Sequence, residues 1–218
     1  MVDANGGYTR KQALRLADRF AELGAPRSLA PLWFASVLRD GIALAAAGAT
    51  ARFADIGSEL LRTLLPEAGV TRDLDAAVDH VLGGFTCLDV HPDVVPGVHA
   101  LHEAGLRLVT LSNGSVSVAE ALLSGAGVRD RFEQLLSVEE AGIWKPATGA
   151  YSFAAGRCGV DVAEVALVAV HPWDIDGAAR AGLQTVWVNR TGRSYPSYAT
   201  PPTHTVTSME QVAGVLAR

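Results

Sequence analysis

The stretch Leu111-Ser112-Asn113-Gly114-Ser115 indicates how the second half of this chain folds. It continues the apolar run Arg107–Leu111, which has the character of a strand buried on both faces. Two further polar clusters, Lys145-Pro146 and His171-Pro172-Trp173-Asp174, also stand where a strand ends and a helix begins. Ligands of open α/β sheets bind at the carboxyl ends of the strands. A hydroxyl, an amide, a lysine and an aspartate at one such edge therefore predict an active site.

The pattern from about Val98 onward predicts strands that alternate with helices, which is typical of an α/β fold with a parallel sheet. The predicted strands are Leu106–Leu111, Phe132–Ser137, Val165–Val170, Thr185–Val188 and His204–Val206. The predicted helices are Pro96–Ala104, Val116–Gly125, Thr148–Cys158 with Thr148 as its N-cap, Asp176–Ala181 and Met209–Leu216.

The first ninety residues show helical periodicity and no convincing strand. The predicted helices are Gln12–Leu23, Ser28–Ala47, Phe53–Leu65 and Leu74–Gly83, with Ser28 and Asp73 as capping residues near two of the starts. We therefore predict an all-helical subdomain over residues 12–90, inserted into an α/β core formed by residues 1–11 and 91–218.

Composition and charge narrow the class of protein. Apolar residues make up 49% of the chain and charged residues 19%, which is typical of a globular protein with a sizeable core. The net charge of −5 gives no basic surface for nucleic acid. No apolar run approaches the roughly 18 residues that span a bilayer, and no signal peptide is visible. We expect a cytoplasmic protein without nucleic-acid or membrane partners.

Taken in order, four short segments resemble the four motifs of the haloacid dehalogenase superfamily, and the chain is most similar to its type II L-2-haloacid dehalogenase branch. The segments are Asp3, Ser112–Ser115, Lys145-Pro146 and Trp173-Asp174. Three longer stretches carry the same resemblance: Gly127–Phe132, Leu136–Glu139 and Trp187–Gly192. The resemblance implies a Rossmann-like core with a helical cap, a homodimer and a small carboxylic acid as substrate.

The resemblance also implies a role for each matching residue. Asp3 would be the nucleophile, whose ester with the substrate is then hydrolysed by water. Ser112 and Asn113 would hydrogen-bond oxygens of the nucleophile or the substrate. Lys145 would hold the aspartate ionised, because a nearby opposite charge favours the charged form. Asp174 would position Lys145 or the hydrolytic water. The residues placed around the substrate are Asn5, Arg39, Tyr151, His171 and Trp173.

Two positions favour attack on carbon over phosphoryl transfer. Magnesium phosphatases of the superfamily carry a second aspartate two residues after the nucleophile, where this chain has Asn5, and an acidic ligand four residues before Asp174, where it has Val170. An amide cannot donate and recover a proton as a carboxyl does, and a valine side chain offers Mg²⁺ no oxygen. We predict metal-independent, cofactor-free displacement of halide from (S)-2-haloalkanoic acids, with a magnesium phosphatase as the less favoured alternative.

Several departures from the dehalogenase branch favour another alternative, a catalytically impaired relative that acts as a binding protein. Phe34 follows Leu32-Trp33 where the branch usually has a substrate-clamping arginine, and Arg39 lies about 140° further around a helix. Gly7, Ala169 and His171 replace a threonine, a serine and an asparagine. Only two residues precede Asp3, which predicts a weakened nucleophile strand or a start further upstream. His171 is either the base that activates water or a structural hydrogen-bonding group.

Overall fold

A computed structural model describes residues 10–84 and 89–217. The chain divides into two compact units, a helical unit that ends at Asp89 and an α/β unit that continues from Val90. The α/β class with parallel strands, predicted from the alternation of patterns, is confirmed.

The helical unit contains four helices among its described residues: α1 (Arg10–Glu22), α2 (Leu29–Ala46), α3 (Phe53–Glu67) and α4 (Leu74–Leu82). Trp33 is fully buried in α2, and its indole Nε1 donates to the carbonyl of Gly57 in α3 at 2.9 Å. Asp73 caps α4 by accepting from the backbone N–H groups of Asp75 and Ala76, as predicted. Ser28 stands at the N-cap of α2, but its side chain makes no capping hydrogen bond.

Helix α2 is long and apolar enough to cross a membrane by length and composition, with 18 residues and a mean hydropathy of 1.3. Helix α2 therefore meets the criterion for a possible membrane span, whereas the sequence analysis expected no apolar segment of that length. Core helices of soluble proteins pass the same test, and 28% of this helix is buried within the protein. Its buried positions include Trp33 and Val37, which lie one helical turn apart.

The α/β unit alternates helices with short strands. Its strands are β1 (Val109–Ser112), β2 (Gln134–Ser137), β3 (Ala166–Ala169), β4 (Gln184–Val188) and β5 (His204–Val206). Its helices are α5 (Val94–Glu103), α6 (Val116–Gly125), α7 (Val138–Ala141), α8 (Thr148–Cys158), α9 (Pro172–Arg180) and α10 (Val212–Leu216).

Every strand pairing in the described part of the chain is parallel. Strand β1 pairs with β2, with Ser112 opposite Ser137 at the carboxyl end. Strand β4 lies between β3 and β5, with Ala169 opposite Trp187. Strands β1 to β4 are almost wholly buried, which accounts for their continuous apolar runs, whereas in β5 only Val206 is buried. Their side chains join those of the flanking helices in one core cluster, which includes Leu101, Leu123, Val168 and Val186.

The structure departs from the predicted local structure in three places. Helix α9 begins at Pro172, four residues before the predicted start, because proline at the first helical position needs no hydrogen-bond partner for its nitrogen. The short helix α7, which contains Glu139 and Glu140 and is capped by the Ser137 hydroxyl, was not predicted. The N-cap of α8 is Ala147 and not Thr148, which lies one residue inside the helix. The strands end at or within one residue of the predicted positions, which are the ends that bear the site.

Candidate active site

The candidate site is assembled from the segments that follow β1, β2 and β3. Ser112 is the last residue of β1, Ser137 is the last residue of β2, and Asp174 lies in the first turn of α9, just after β3. The carboxyl ends of parallel strands meet at one edge of a sheet, where side chains from different segments converge. The structure brings together Ser112, Asn113, Lys145, Tyr151 and Asp174, all of them predicted site residues.

A buried ion pair lies at the centre of this group. The ammonium Nζ of Lys145 lies 2.6 Å from Oδ2 of Asp174, and the two side chains are 1% and 0% exposed. Removal from water makes each charge costly, and the short contact between them offsets that cost. Attraction between two such buried charges is also screened very little by salt. The pair therefore fixes a positive charge at the edge of the sheet.

Tyr151 holds the other oxygen of the same carboxylate. Its hydroxyl lies 2.6 Å from Oδ1 of Asp174 and 3.1 Å from the Asp174 carbonyl oxygen. A hydroxyl has one hydrogen to donate and an ionised carboxylate can only accept. Asp174 thus accepts from Lys145 on Oδ2 and from Tyr151 on Oδ1. This arrangement leaves its carboxylate little freedom to rotate.

The amide side chain of Asn113 positions the Lys145 backbone. Its Nδ2 donates to the Lys145 carbonyl at 3.3 Å, and its Oδ1 accepts from the Lys145 N–H at 3.1 Å. The neighbouring Ser112 hydroxyl accepts from the Gly114 N–H at 2.9 Å. Both side chains are buried. The segment after β1 is therefore attached to the residue that carries the ammonium group.

Ser137 is a site residue that the sequence analysis missed. Its hydroxyl donates to the carbonyl of Gly114 at 2.9 Å and accepts from the Glu139 N–H at 3.1 Å. The side chain is fully buried at the carboxyl end of β2. Its position at the end of a predicted strand was the available signal, since the same rule identified Ser112.

Gly177 permits the close approach of α9 to the residues around Lys145. A Cβ at this position would lie 2.5 Å from Cβ of Pro146, 2.7 Å from the Pro146 carbonyl oxygen and 2.8 Å from the Tyr151 hydroxyl. These separations are well inside ordinary van der Waals contact, so any larger residue requires the backbone to move. Glycine at 177 thereby sets the distance between α9 and Tyr151.

His171 and Trp173 flank the start of α9. His171 is its N-cap residue, and its carbonyl accepts the N–H groups of Asp174 at 3.0 Å and Ile175 at 3.1 Å. The two aromatic rings lie 5.3 Å apart between centroids with 35° between their planes. Both residues are partly buried. Both residues are therefore close to Asp174 along the backbone, and the His171 carbonyl holds the Asp174 N–H.

Three predicted site residues remain, namely Asp3, Asn5 and Arg39. Asp3 and Asn5 are outside the described residues. Arg39 belongs to the helical unit, where 67% of its side chain is exposed and its Nε lies 2.6 Å from Oδ1 of Asp40. The hydrogen bond that Arg39 donates to Asp40, and then the charge of that carboxylate, raise the pKa of Arg39. Phe34, at the position where the resemblance places an arginine, packs with Phe53 at 6.2 Å between ring centroids.

Within residues 10–84 and 89–217, no group of three or more histidine, cysteine, aspartate or glutamate side chains is arranged to hold a metal ion. At the position where the phosphatases carry an acidic ligand, Val170 contributes a backbone carbonyl that accepts from Nε1 of Trp187 at 3.0 Å.

Comparisons with known proteins agree on one family. Residues 9–182 match the family model of the haloacid dehalogenase-like hydrolases. The chain is 36% identical over 141 residues to an (S)-2-haloacid dehalogenase of Pseudomonas sp. (strain YL), an alignment that covers 64% of this chain and 61% of that relative. It is 29% identical over 195 residues to (S)-2-haloacid dehalogenase 1 of Pseudomonas sp. (strain CBS-3), covering 89% and 86%.

The fold also matches solved structures. The crystal structure of a dehalogenase with an intermediate complex aligns over 100% of this chain and 96% of that one, with 27% identity and a TM-score of 0.86. The similarity thus extends over both units, although the alignment with the strain YL enzyme spans about three fifths of that relative's length, 61%.

Proposed function

The chain belongs to the haloacid dehalogenase-like hydrolase family, and we propose that it hydrolyses the carbon–halogen bond of small (S)-2-haloalkanoic acids. The observation that carries this proposal is the buried Lys145–Asp174 pair, held on its second carboxylate oxygen by Tyr151. A fixed positive charge at the carboxyl edge of the sheet is suited to keep an attacking carboxylate ionised. The names of the relatives support the choice of haloacids as the substrate class.

The proposed reaction has two steps. A carboxylate oxygen of Asp3 attacks C2 of the haloacid from the side opposite the halogen, so that an aspartyl ester forms and halide leaves with the bonding electrons. Water then attacks the carbonyl carbon of that ester, which regenerates Asp3 and releases a 2-hydroxy acid and one proton. The first step inverts C2 and the second does not touch it. An (S)-2-haloacid therefore yields an (R)-2-hydroxy acid.

Each residue at the sheet edge has a part in this proposal. Lys145 supplies positive charge, and Asp174 with Tyr151 fixes the place of that charge. Asn113 fixes the Lys145 backbone through its two amide hydrogen bonds. His171 is the N-cap residue of α9, and Trp173 lies in its first turn beside Asp174. Substrate-binding roles for Asn5 and Arg39 belong to the same proposal.

The chemistry of two side chains favours this reaction over a magnesium phosphatase. The aspartate that protonates the leaving group in the phosphatases is replaced by Asn5, which has no exchangeable acid proton of suitable pKa. The acidic metal ligand is replaced by Val170, whose side chain carries no oxygen.

The test is halide release from (S)-2-chloropropionate by the wild-type chain and by Asp3→Asn. Hydrolysis of p-nitrophenyl phosphate with Mg²⁺ is measured beside it. We expect chloride release that is abolished in the variant and no phosphate release. Phosphate release would favour the phosphatase, and folded protein without either activity would favour the impaired binding protein.

We extend the proposal to a homodimeric assembly and a cytoplasmic location. The resemblance to the type II branch supports the first, and the composition of the chain supports the second. Sedimentation equilibrium of the purified chain tests the dimer, and fractionation of the source cells tests the location.

A further inference from the structure

Two aromatic side chains bind the backbone on either side of His171. The indole Nε1 of Trp187 donates to the Val170 carbonyl at 3.0 Å, and the hydroxyl of Tyr195 lies 3.3 Å from the Pro172 carbonyl. The two rings contact each other edge to face, with centroids 4.9 Å apart and planes at 72°. Such pairs stabilise each other beyond the area they bury. We refer to residues 170–172, between β3 and α9, as the 170–172 turn.

The Tyr195 hydroxyl also lies 3.0 Å from the carbonyl oxygen of Thr200, so its single hydrogen is placed between two acceptors. Thr200 in turn donates its N–H to Oδ1 of Asp176 at 2.8 Å. The segment between β4 and β5 is thus attached to the start of α9 at two points. Burial and then the charge of Asp176 raise the pKa of Tyr195, so the hydroxyl remains a donor throughout the neutral range.

The 170–172 turn determines where Asp174 stands. The Asp174 N–H bonds to the carbonyl of His171, so a shift of the turn moves the carboxylate that Lys145 and Tyr151 hold. Both partners belong to other segments of the chain, so such a shift changes the geometry of their contacts with Asp174. Small misplacements of charged groups in an active site reduce rates strongly, because their interaction with the transition state depends on geometry.

We propose that Tyr195 is a positioning residue, which fixes the 170–172 turn and thereby Asp174 for the reaction. It acts through the backbone of the turn and does not contact the substrate. The inference rests on the proposed function, since it assigns Tyr195 to that reaction. Its structural part, the restraint of the turn, is measurable without any substrate.

The test compares Tyr195→Phe with the matched control Tyr198→Phe. Phenylalanine at 195 keeps the ring against Trp187 and removes only the hydroxyl, whereas Tyr198 is 88% exposed. Hydrogen exchange of the peptide that spans residues 170–176 is followed by mass spectrometry, and kcat and KM are measured with (S)-2-chloropropionate. We expect faster exchange and a kcat lowered about 5-fold in Tyr195→Phe, with KM changed less than about 2-fold.

Each outcome is decisive. Exchange in Tyr195→Phe equal to that of the wild type and of Tyr198→Phe would overturn the inference, whatever the activity. Faster exchange with an unchanged kcat would overturn the positioning role. A loss of kcat that Tyr198→Phe shares equally would also contradict it. If the wild type releases no halide, the proposed function fails and the role in that reaction falls with it, while exchange still reports whether Tyr195 restrains the turn.

Discussion

The ammonium group of Lys145 and the carboxylate of Asp174 form an ion pair at 2.6 Å with almost no exposure of either side chain. Between two exposed groups such a pair adds little to stability, but between buried groups each charge depends on the other. The Tyr151 hydroxyl on the second oxygen of Asp174 completes the arrangement. The candidate site is therefore also a place where single substitutions have large energetic effects.

Lys145→Met is expected to destabilise the protein strongly. It removes the ammonium group that pairs with the buried Asp174 carboxylate, and such removal of one partner of a buried ion pair costs about 3–5 kcal/mol of unfolding free energy. Urea denaturation measures this cost. The control is Arg107→Met, which removes the exposed partner of Glu133 and is expected to change stability far less. Equal effects of the two substitutions would contradict the burial argument. Halide release should also be lost in Lys145→Met.

Tyr151→Phe is expected to lower activity while the protein remains folded. The substitution removes the 2.6 Å hydrogen bond to Oδ1 of Asp174 and keeps the ring in the core. A hydrogen bond to a charged group contributes about 1.5–3 kcal/mol, which corresponds to a fall in kcat of about 10-fold to 150-fold if the bond acts in the transition state. Steady-state kinetics on (S)-2-chloropropionate measures it. Unchanged kcat would show that the reaction does not depend on the Tyr151 hydrogen bond to Asp174.

Gly177→Ala is expected to reproduce the defect of Tyr151→Phe and to reduce stability as well. The added methyl would lie 2.8 Å from the Tyr151 hydroxyl and 2.5 Å from Pro146 Cβ, so α9 or Tyr151 must shift. The matched control is Gly156→Ala, another helical glycine, which meets nothing within 4 Å. Removal of a glycine from a helix interior is favourable by itself, so the control should gain stability slightly. A Gly177→Ala variant with normal kcat and stability would contradict the close approach.

A second ion pair gives a prediction for pH. The Asp93 carboxylate accepts from Nε of Arg190 at 2.9 Å and from the Met209 N–H at 2.9 Å. Burial by itself would raise the pKa of Asp93, but the hydrogen bonds from Arg190 and Met209 outweigh it and lower the pKa below its ordinary value. A carboxyl with a lowered folded-state pKa stabilises the fold above its unfolded pKa, and this contribution is lost as pH falls through the folded value.

Asp93→Asn should therefore lower the unfolding free energy by about 1–3 kcal/mol at neutral pH. The difference from the wild type should begin to shrink below about pH 4, where an unfolded aspartate takes up its proton, and should disappear below the lowered folded-state pKa of Asp93. Urea denaturation across this range measures it. The control Glu133→Gln changes an exposed carboxylate, so its unfolding free energy should stay close to that of the wild type at neutral and at acidic pH. A difference for Asp93→Asn that stays constant with pH would show that shape and not charge is responsible.

The sequence predicted the elements of the α/β unit because buried parallel strands and amphipathic helices have distinct periods. It also predicted the strand ends at which the candidate site residues lie, since polar residues directly after apolar runs mark these ends. The structure brings the side chains of Lys145, Tyr151 and Asp174 together, while their roles in a reaction stay a prediction. The start of α9 was predicted at Asp176 and not at Pro172, although a proline directly after a strand is itself a signal for a first helical turn.

Other features of the site could not be predicted from local patterns. Tyr195 reaches Pro172 across 23 positions of sequence, and Ser137 reaches Gly114 across another 23. Such contacts depend on how strands and loops pack in three dimensions, and neither periodicity nor turn chemistry encodes them. The close approach at Gly177 is likewise a property of two packed segments, and a glycine within a helix indicates nothing more specific by itself.

The proposed reaction requires that an aspartyl ester forms on Asp3. A single turnover in oxygen-18-enriched water tests for this intermediate most directly. The enzyme is held in excess over (S)-2-chloropropionate, and the N-terminal peptide and the lactate are then weighed by mass spectrometry. Because water attacks the carbonyl of the ester, we predict that the label enters the Asp3 carboxylate and that the lactate of this first turnover is unlabelled. Label found directly in the lactate, with none in Asp3, would contradict the nucleophilic role of Asp3.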